Sequence, residues 1–256
     1  MWPLMASGNQ TLISNQTQTI MRVTTKVKDA ILVFRLGKST NGKISNGKEK
    51  ILQVYSFSDA QLNYVSESVK NGVKVNAKQF FDLAEAVCFD CPFRAYLKCY
   101  THKYQQYAGF LSMLKSISRE FKNVHEIPSI HLLEKKIVDI SNNRYIRFGT
   151  YGEPTLLPID LVGNMVKASK SHTGYTHQWS KKPDYAAFFM ASTHNENQAN
   201  MAKKIGFRSF IASNETLENA VVCPASSEAG FKSTCEKCGL CSGQRKGTKN
   251  IQILEH

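Results

Sequence analysis

At 256 residues the chain is long enough for one large α/β domain or two small ones, and 42% hydrophobic with 21% charged residues is an ordinary globular composition. Its apolar runs fall short of a membrane span, and residues 1–14 lack the charged and apolar halves of a signal peptide, so a soluble, cytoplasmic protein without membrane partners is expected. The formal charge of +13 favours polyanions such as nucleic acid or nucleotides, but the basic residues cluster only in pairs (Lys135-Lys136, Lys181-Lys182, Lys203-Lys204, Arg245-Lys246), which suit a solvated surface equally well.

Residues 1–22 are rich in Asn, Gln, Thr and Ser without periodicity and read as a weakly structured lead-in. Residues 23–84 read as strands and a helix packed on the core. The stretch 23–36 alternates and carries β-branched residues, 37–48 is a turn-rich loop with three glycines, and 51–57 is a second strand. Ser58-Asp59 caps a helix whose apolar positions are Leu62, Val65 and Val69, ending near Gly72. After Cys88, Cys91 and Cys99, the spacing of Tyr104, Tyr107, Phe110, Leu111 and Leu114 predicts a second helix.

The stretch on which the rest turns is 144–158. Tyr145, Ile146 and Phe148 predict a short buried strand, Gly149 and Gly152 punctuate it, and Leu161, Val162, Met165 and Val166 predict a helix over 159–168. Gly152-Glu153-Pro154 therefore lies where a strand stops and a crossover helix begins, the edge at which parallel α/β proteins bind ligands. Glycine there lets backbone approach a ligand, and a carboxylate there can hold an amino group; a plain Gly-Pro turn with a solvated glutamate is the alternative. Further strands are predicted at 174–179, 186–191, 206–212 and 220–223, with helices at 196–205 and around 216–219. The alternation of short strands with helix-sized connections favours parallel β/α topology. His177 and His194 are as readily polar loop residues as acids or bases, and Tyr175, His177 and Trp179 share one strand candidate.

The seven cysteines fall in two groups. Without a secretory signal, clustered cysteines argue for metal over disulfides. Cys235, Cys238 and Cys241 form C-x2-C-x2-C, the ferredoxin spacing for a [4Fe–4S] cluster, and Cys223 can supply a fourth thiolate. Four thiolates also suit structural zinc. Cys88, Cys91 and Cys99 supply three; His102 can complete a closed zinc site, and three structural thiols are the alternative.

The order of a three-cysteine group, Gly152-Glu153-Pro154 after a strand, further strand–helix units and a cysteine-rich tail resembles radical S-adenosylmethionine (radical SAM) enzymes with an auxiliary cluster, over roughly residues 85–245. The tail Cys235-Glu-Lys-Cys238-Gly-Leu-Cys241, with Cys91-Pro92 and Cys99-Tyr100, is also similar to a group of small bacteriophage proteins of unassigned activity. The early spacing, C-x2-C-x7-C, differs from the family's C-x3-C-x2-C.

The resemblance implies a partial (β/α) barrel of about six parallel strands over 85–222 and a cysteine-cluster extension over 223–253; Leu254-Glu255-His256 reads by itself as a tag remnant. It implies one or two [4Fe–4S] clusters, with Cys88, Cys91 and Cys99 on the catalytic one. Gly152, Glu153 and Pro154 would then hold the methionyl amine of S-adenosylmethionine, with Ser192, Thr193 and Asn195 on its ribose and carboxylate. Electron transfer to the sulfonium would release a 5′-deoxyadenosyl radical acting on a nucleotide, nucleic acid or peptide. A phage-encoded chain would work in the host cytoplasm. The alternative is a non-catalytic protein, stabilised by zinc or iron–sulfur, that binds nucleic acid or a host partner.

Overall fold

The computed structural model describes residues 21–39, 41–94, 99–102, 104–215, 217–245 and 248–254. Most of the expected lead-in, Thr216 and the end of the chain lie outside them. Strand β1 (Met21–Val27) turns through Lys28-Asp29 into β2 (Ala30–Lys38), with Val27 facing Ala30 across the turn. Lys28 sits at φ 50°, the left-handed conformation that a two-residue hairpin requires. The single alternating stretch at 23–36 is thus two antiparallel strands.

β3 (Lys50–Ser58) lies antiparallel to β2, with Val33 opposite Tyr55. On its other edge it runs parallel to β4 (Tyr145–Tyr151), which is parallel to β5 (Ser171–Thr173). The strands β6 (Tyr175–Thr176), β7 (Met190–Thr193), β8 (Ser209–Ala212), β9 (Ala220–Val222) and β10 (Asn250–Ile253) form a second sheet in the order β6-β7-β8-β10-β9, parallel throughout. The architecture is mixed α/β, with two five-stranded sheets rich in parallel pairs.

Helix α1 (Asp59–Lys70) starts as its sequence dictates: Gln61 N donates to Ser58 Oγ and Ser58 N donates to Gln61 Oε1, both at 3.0 Å. With α2 (Ala77–Asp82), α3 (Glu85–Cys88) and α4 (Tyr104–Glu120), it covers one face of the first sheet, where Ile31, Val33, Phe57 and Tyr151 are buried. The alternate residues Leu32, Phe34, Leu52 and Val54 point the other way. They pack against α5 (Glu134–Ser141), α6 (Ile159–Ala168) and the second sheet, with α7 (Glu196–Lys204) behind it. A sheet covered on both faces explains runs such as Ile31-Leu-Val-Phe34, in which every residue is apolar.

Gly174 is the joint between the sheets. β5 pairs with β4 on one side of it, and β6 pairs with β7 on the other. Gly174 N donates to the Cys241 carbonyl at 3.1 Å, while its own carbonyl accepts from Met190 N at 3.0 Å. A Cβ here would stand 2.5 Å from Phe189 Cδ1 and 3.2 Å from Phe148 Cβ.

Four local expectations change. The apolar run at 186–191 is mostly not a strand. Pro183–Ala187 is a 3-10 segment whose Tyr185 hydroxyl donates to the Leu157 carbonyl at 2.6 Å, Phe189 fills the core, and only Met190 onward pairs. Pro183 presets that tight turn, and a short apolar run does not separate strand from turn by periodicity. Residues 218–219 form a turn where a short helix around 216–219 was expected, Thr216 lying outside the described residues. The expected strand at 174–179 pairs only over Tyr175–Thr176. β10 lies in what read as cysteine extension and separates β8 from β9; Asn250 Oδ1 accepts from Ser209 N and Gln252 Oε1 from Leu217 N. No helix among the described residues is long and apolar enough to cross a membrane.

Gly174→Ala should lower the unfolding free energy by about 1–3 kcal/mol, the usual cost of forcing a group into a packed core. The denaturant midpoint measures this; an unchanged midpoint would mean that the joint has slack that the Phe189 contact denies.

Candidate functional site

Three strand ends meet the first cysteine loop. β4 ends in Gly152-Glu153, β6 runs on to His177, and β7 runs on to His194. Gly152 has φ 75°, and a Cβ on it would stand 2.8 Å from both the Cβ and the carbonyl oxygen of Ser56, on β3. Only glycine lets the two strand ends close this tightly. The next amide, Glu153 N, donates to the Val87 carbonyl at 2.7 Å. This bond anchors the residue preceding Cys88 to the sheet edge.

The loop is tied down a second time. Asp90 accepts from Gln178 Nε2 and from Lys181 Nζ, the latter at 2.6 Å. Those two bonds hold its carboxyl below the usual range. Cys91 Sγ lies 3.8 Å from His177 Nε2, and Phe93 stands edge-on to His194 at 4.8 Å between ring centres. His177 and His194 stack at 5.8 Å.

Glu153 is buried at 5% exposure. Its Oε1 accepts from Thr155 N (3.3 Å) and Thr155 Oγ1 (3.1 Å), its Oε2 from His177 N (3.1 Å), and the Thr176 side chain is a further partner. Burial pushes its pKa above the usual carboxylate range while these donors pull against the rise. It therefore caps the 3-10 turn Pro154–Leu156 and binds three segments together, which a solvated turn glutamate would not do. A carboxylate offers about four lone-pair sites, so an ammonium reaching Glu153 would displace one of these donors.

The three thiols beside it form a group. Burial raises the Cys88 thiol most, and Cys91, Cys99 and Glu153 raise it further; the Arg94 guanidinium opposes them. Cys91 is pushed up to about 11, again chiefly by burial. Cys99 is raised by burial, against a 3.0 Å contact with Thr101 Oγ1. Buried sulfurs that repel one another as thiolates are the setting that a bound cation relieves. His102, the alternative zinc ligand, has its ring stacked on Phe81 at 3.7 Å and is held near pKa 4 by burial.

The second group is separate. Cys223, Cys235, Cys238 and Cys241 line one small cavity, about 30 Å³, with Lys43, Thr173 and Tyr175. Burial raises Cys241 to about 12, where Tyr175 donates to it and the other three cysteines oppose ionisation. Burial also raises Cys235, with Arg147 and Lys43 pulling the other way. The short helix α8 (Cys235–Cys238) ends at Gly239, whose left-handed φ of 59° swings Leu240-Cys241 back towards Cys223. Cys235 N donates to the Lys43 carbonyl, so the β2–β3 loop closes the cavity.

All seven cysteines are free thiols. Among the described residues no set of three or more His, Cys, Asp or Glu already forms an ion-holding group, so the sulfurs of each set must draw closer to share one centre. The donor chemistry fits: four sulfurs lining one cavity with flanking cations in the tail, three sulfurs and a buried carboxylate at the strand edge.

Of the remaining expected site residues, Asn195 caps α7 by accepting from Gln198 N at 2.9 Å, and Ser192 is half-buried on β7. Thr193 is fully buried, and its hydroxyl has no hydrogen-bond partner among the described residues. Pro154 is buried in the turn that Glu153 caps. Sequence reasoning missed Thr155 and Thr176, which hold Glu153, and Lys43 and Tyr145 beside the tail. Only Thr155 carried a signal, its place after Gly152-Glu153-Pro154. No family model, curated protein or solved structure matches the chain.

Burial lowers the folded pKa of His102 to about 4, against about 6.5 unfolded. Its contribution to stability is complete above pH 6.5 and is lost as pH falls through 4, because the unfolded chain takes up the proton first. His102→Phe keeps the stack on Phe81, so its stability should fall less steeply between pH 6.5 and 4.5, by about 1.4 kcal/mol per pH unit at most. Urea unfolding across that range checks this; superimposable profiles would exclude His102 as a titrating group.

Proposed function

We propose that the chain is an iron–sulfur enzyme of the radical SAM kind, acting on a nucleotide, nucleic acid or peptide. The observation that carries the reading is the gathering of Cys88, Cys91 and Cys99 against Glu153 at the carboxyl edge of β4, held by the Glu153–Val87 bond. The two sheets are read as one partial (β/α) barrel, supported by the extended segment 171–176, which pairs with β4 before Gly174 and with β7 after it. The site lies at the carboxyl ends of β3, β4, β6 and β7, where such folds do their chemistry.

Cys88, Cys91 and Cys99 would hold the catalytic cluster, three thiolates leaving one position for a ligand that is not protein. Cys223, Cys235, Cys238 and Cys241 would hold a second, closed cluster. Bound there, cluster and S-adenosylmethionine supply one-electron chemistry at the sulfonium and hydrogen abstraction from a substrate. The chain's own residues orient and exclude water. Glu153 fixes the turn and sets the negative charge beside the amine site, and Gly152 keeps the backbone close to it. The buried Thr193 hydroxyl is the donor with capacity to spare for a cofactor carboxylate. Phe93, His177 and His194 stand together beside Cys91, with His177 held near pKa 4 by burial and by His194, hence neutral at pH 7.

Anaerobically isolated protein with a strong reductant should cleave S-adenosylmethionine to 5′-deoxyadenosine. Cys88→Ala should abolish cleavage, whereas Cys238→Ala should leave cleavage measurable. Thr193→Val should weaken cofactor binding about tenfold, the cost of one hydrogen bond to a charged group. Absence of cleavage by protein carrying its full iron and sulfide would overturn the reading in favour of a metal-stapled binding protein.

A further inference from the structure

A second concavity lies outside the strand-edge site. It is a cleft of about 630 Å³ between the β2–β3 loop and the cysteine tail, with Lys43, Phe231, Lys232, Ser233, Thr234 and Lys237 on its walls. Its volume falls in the range of small-molecule sites. The walls are locked together: Cys235 N donates to the Lys43 carbonyl and Glu236 N to the Ile44 carbonyl, both at 2.9 Å.

Three lysines line this cleft, and no carboxylate does. Among the described residues none of the three lysines forms an ion pair. The nearest acid in sequence, Glu236, is engaged by Ser45 Oγ at 2.5 Å. Phe231 is 62% exposed and sits at φ 50°, a region that bulky residues rarely occupy. Its backbone is fixed there by Phe231 N donating to the Ser226 carbonyl at 2.9 Å. A rigid turn thus presents a large aromatic face to solvent beside unpaired cations. Thr234 adds a buried hydroxyl oxygen with no partner among the described residues.

We propose that this cleft binds a nucleotide unit, its phosphate on Lys43, Lys232 and Lys237 and its base stacked on Phe231. Lysines supply sequence-independent phosphate attraction, and an exposed aromatic supplies stacking that any base satisfies. The chemistry is shared by a free nucleotide and by one residue of a single strand. None of the cysteines lines the cleft, although Lys43 is shared with the tail cavity; the Lys232 and Lys237 charges and the Phe231 face do not depend on the iron–sulfur reading.

The test is fluorescence anisotropy of the intact, metal-loaded protein with a labelled twelve-residue oligothymidylate, and with ATP as competitor. Saturable binding is expected, with log K falling against log salt at a slope of about −2, from three lysines at roughly 0.7 each. Lys232→Gln with Lys237→Gln should cut affinity at least tenfold and flatten the slope by about 1.4. Phe231→Ala should weaken binding about tenfold with the slope unchanged. Competition by ATP at equal concentration identifies a free nucleotide, and its failure to compete identifies a strand; either supports the cleft. Absence of saturable binding to both, an unaffected Phe231→Ala, or an equal loss in the control Lys135→Gln with Lys136→Gln on α5 would overturn it.

Discussion

The hydrogen bond from the Glu153 amide to the Val87 carbonyl governs the geometry of the strand-edge site. It forms only because Gly152, left-handed and without a Cβ, lets the end of β4 close onto Ser56 at the end of β3. That closure delivers the Glu153 carboxyl into a buried nest of donors from Thr155, Thr176 and His177. It also fixes the start of the loop carrying Cys88, Cys91 and Cys99. A long excursion from β3 to β4 thus returns its cysteines to the edge from which it set out. The loop's own helices are too short to hold it: α3 spans only Glu85–Cys88. Tertiary bonds from Glu153 and Asp90 supply the order that local helix formation does not.

The two cysteine groups differ in their electrostatic surroundings. The first faces a buried carboxylate and neutral imidazoles, so its sulfurs gain little from neighbouring cations beyond Arg94. The second sits among Lys43, Arg147 and the Tyr175 hydroxyl, all of which favour the thiolate form. Hydrogen bonds and cations around ligating sulfurs set the potential of a cluster. The tail is built to tolerate more negative charge than the strand-edge site. Both lie next to Gly174 or the strand that follows it, since Gly174 N binds Cys241 and His177 follows β6. Chain segments far apart in sequence are joined through this one extended segment.

Much of this was legible where local rules and tertiary structure agree. The cap at Ser58-Asp59 and the apolar stripe of α6 are written in neighbouring residues, and the structure uses them so. The cysteine groupings were visible as spacing. The illegible parts depend on partners distant in sequence. β10 is four residues long with little composition of its own, and becomes a strand because β8 and β9 leave a gap for it. The run through Phe188-Phe189 looks like a buried strand, but Pro183 and the packing of Phe189 on Phe148 bend it into a turn. The burial of Glu153 could not be read either, because Thr176 and His177 reach it from another strand end. Two of its donors are backbone amides, which carry no residue signature.

The proposal turns on two independent sets of thiolates, one on the strand edge and one in the tail, each of which would gather iron and sulfide. Iron and acid-labile sulfide measured on anaerobically isolated protein test it most directly, alongside a Cys88/Cys91/Cys99→Ala variant and a Cys235/Cys238/Cys241→Ala variant. The account predicts about eight iron and eight sulfide per chain, with about half remaining in each variant. Zinc without sulfide, or the loss of all iron from both variants, would contradict it.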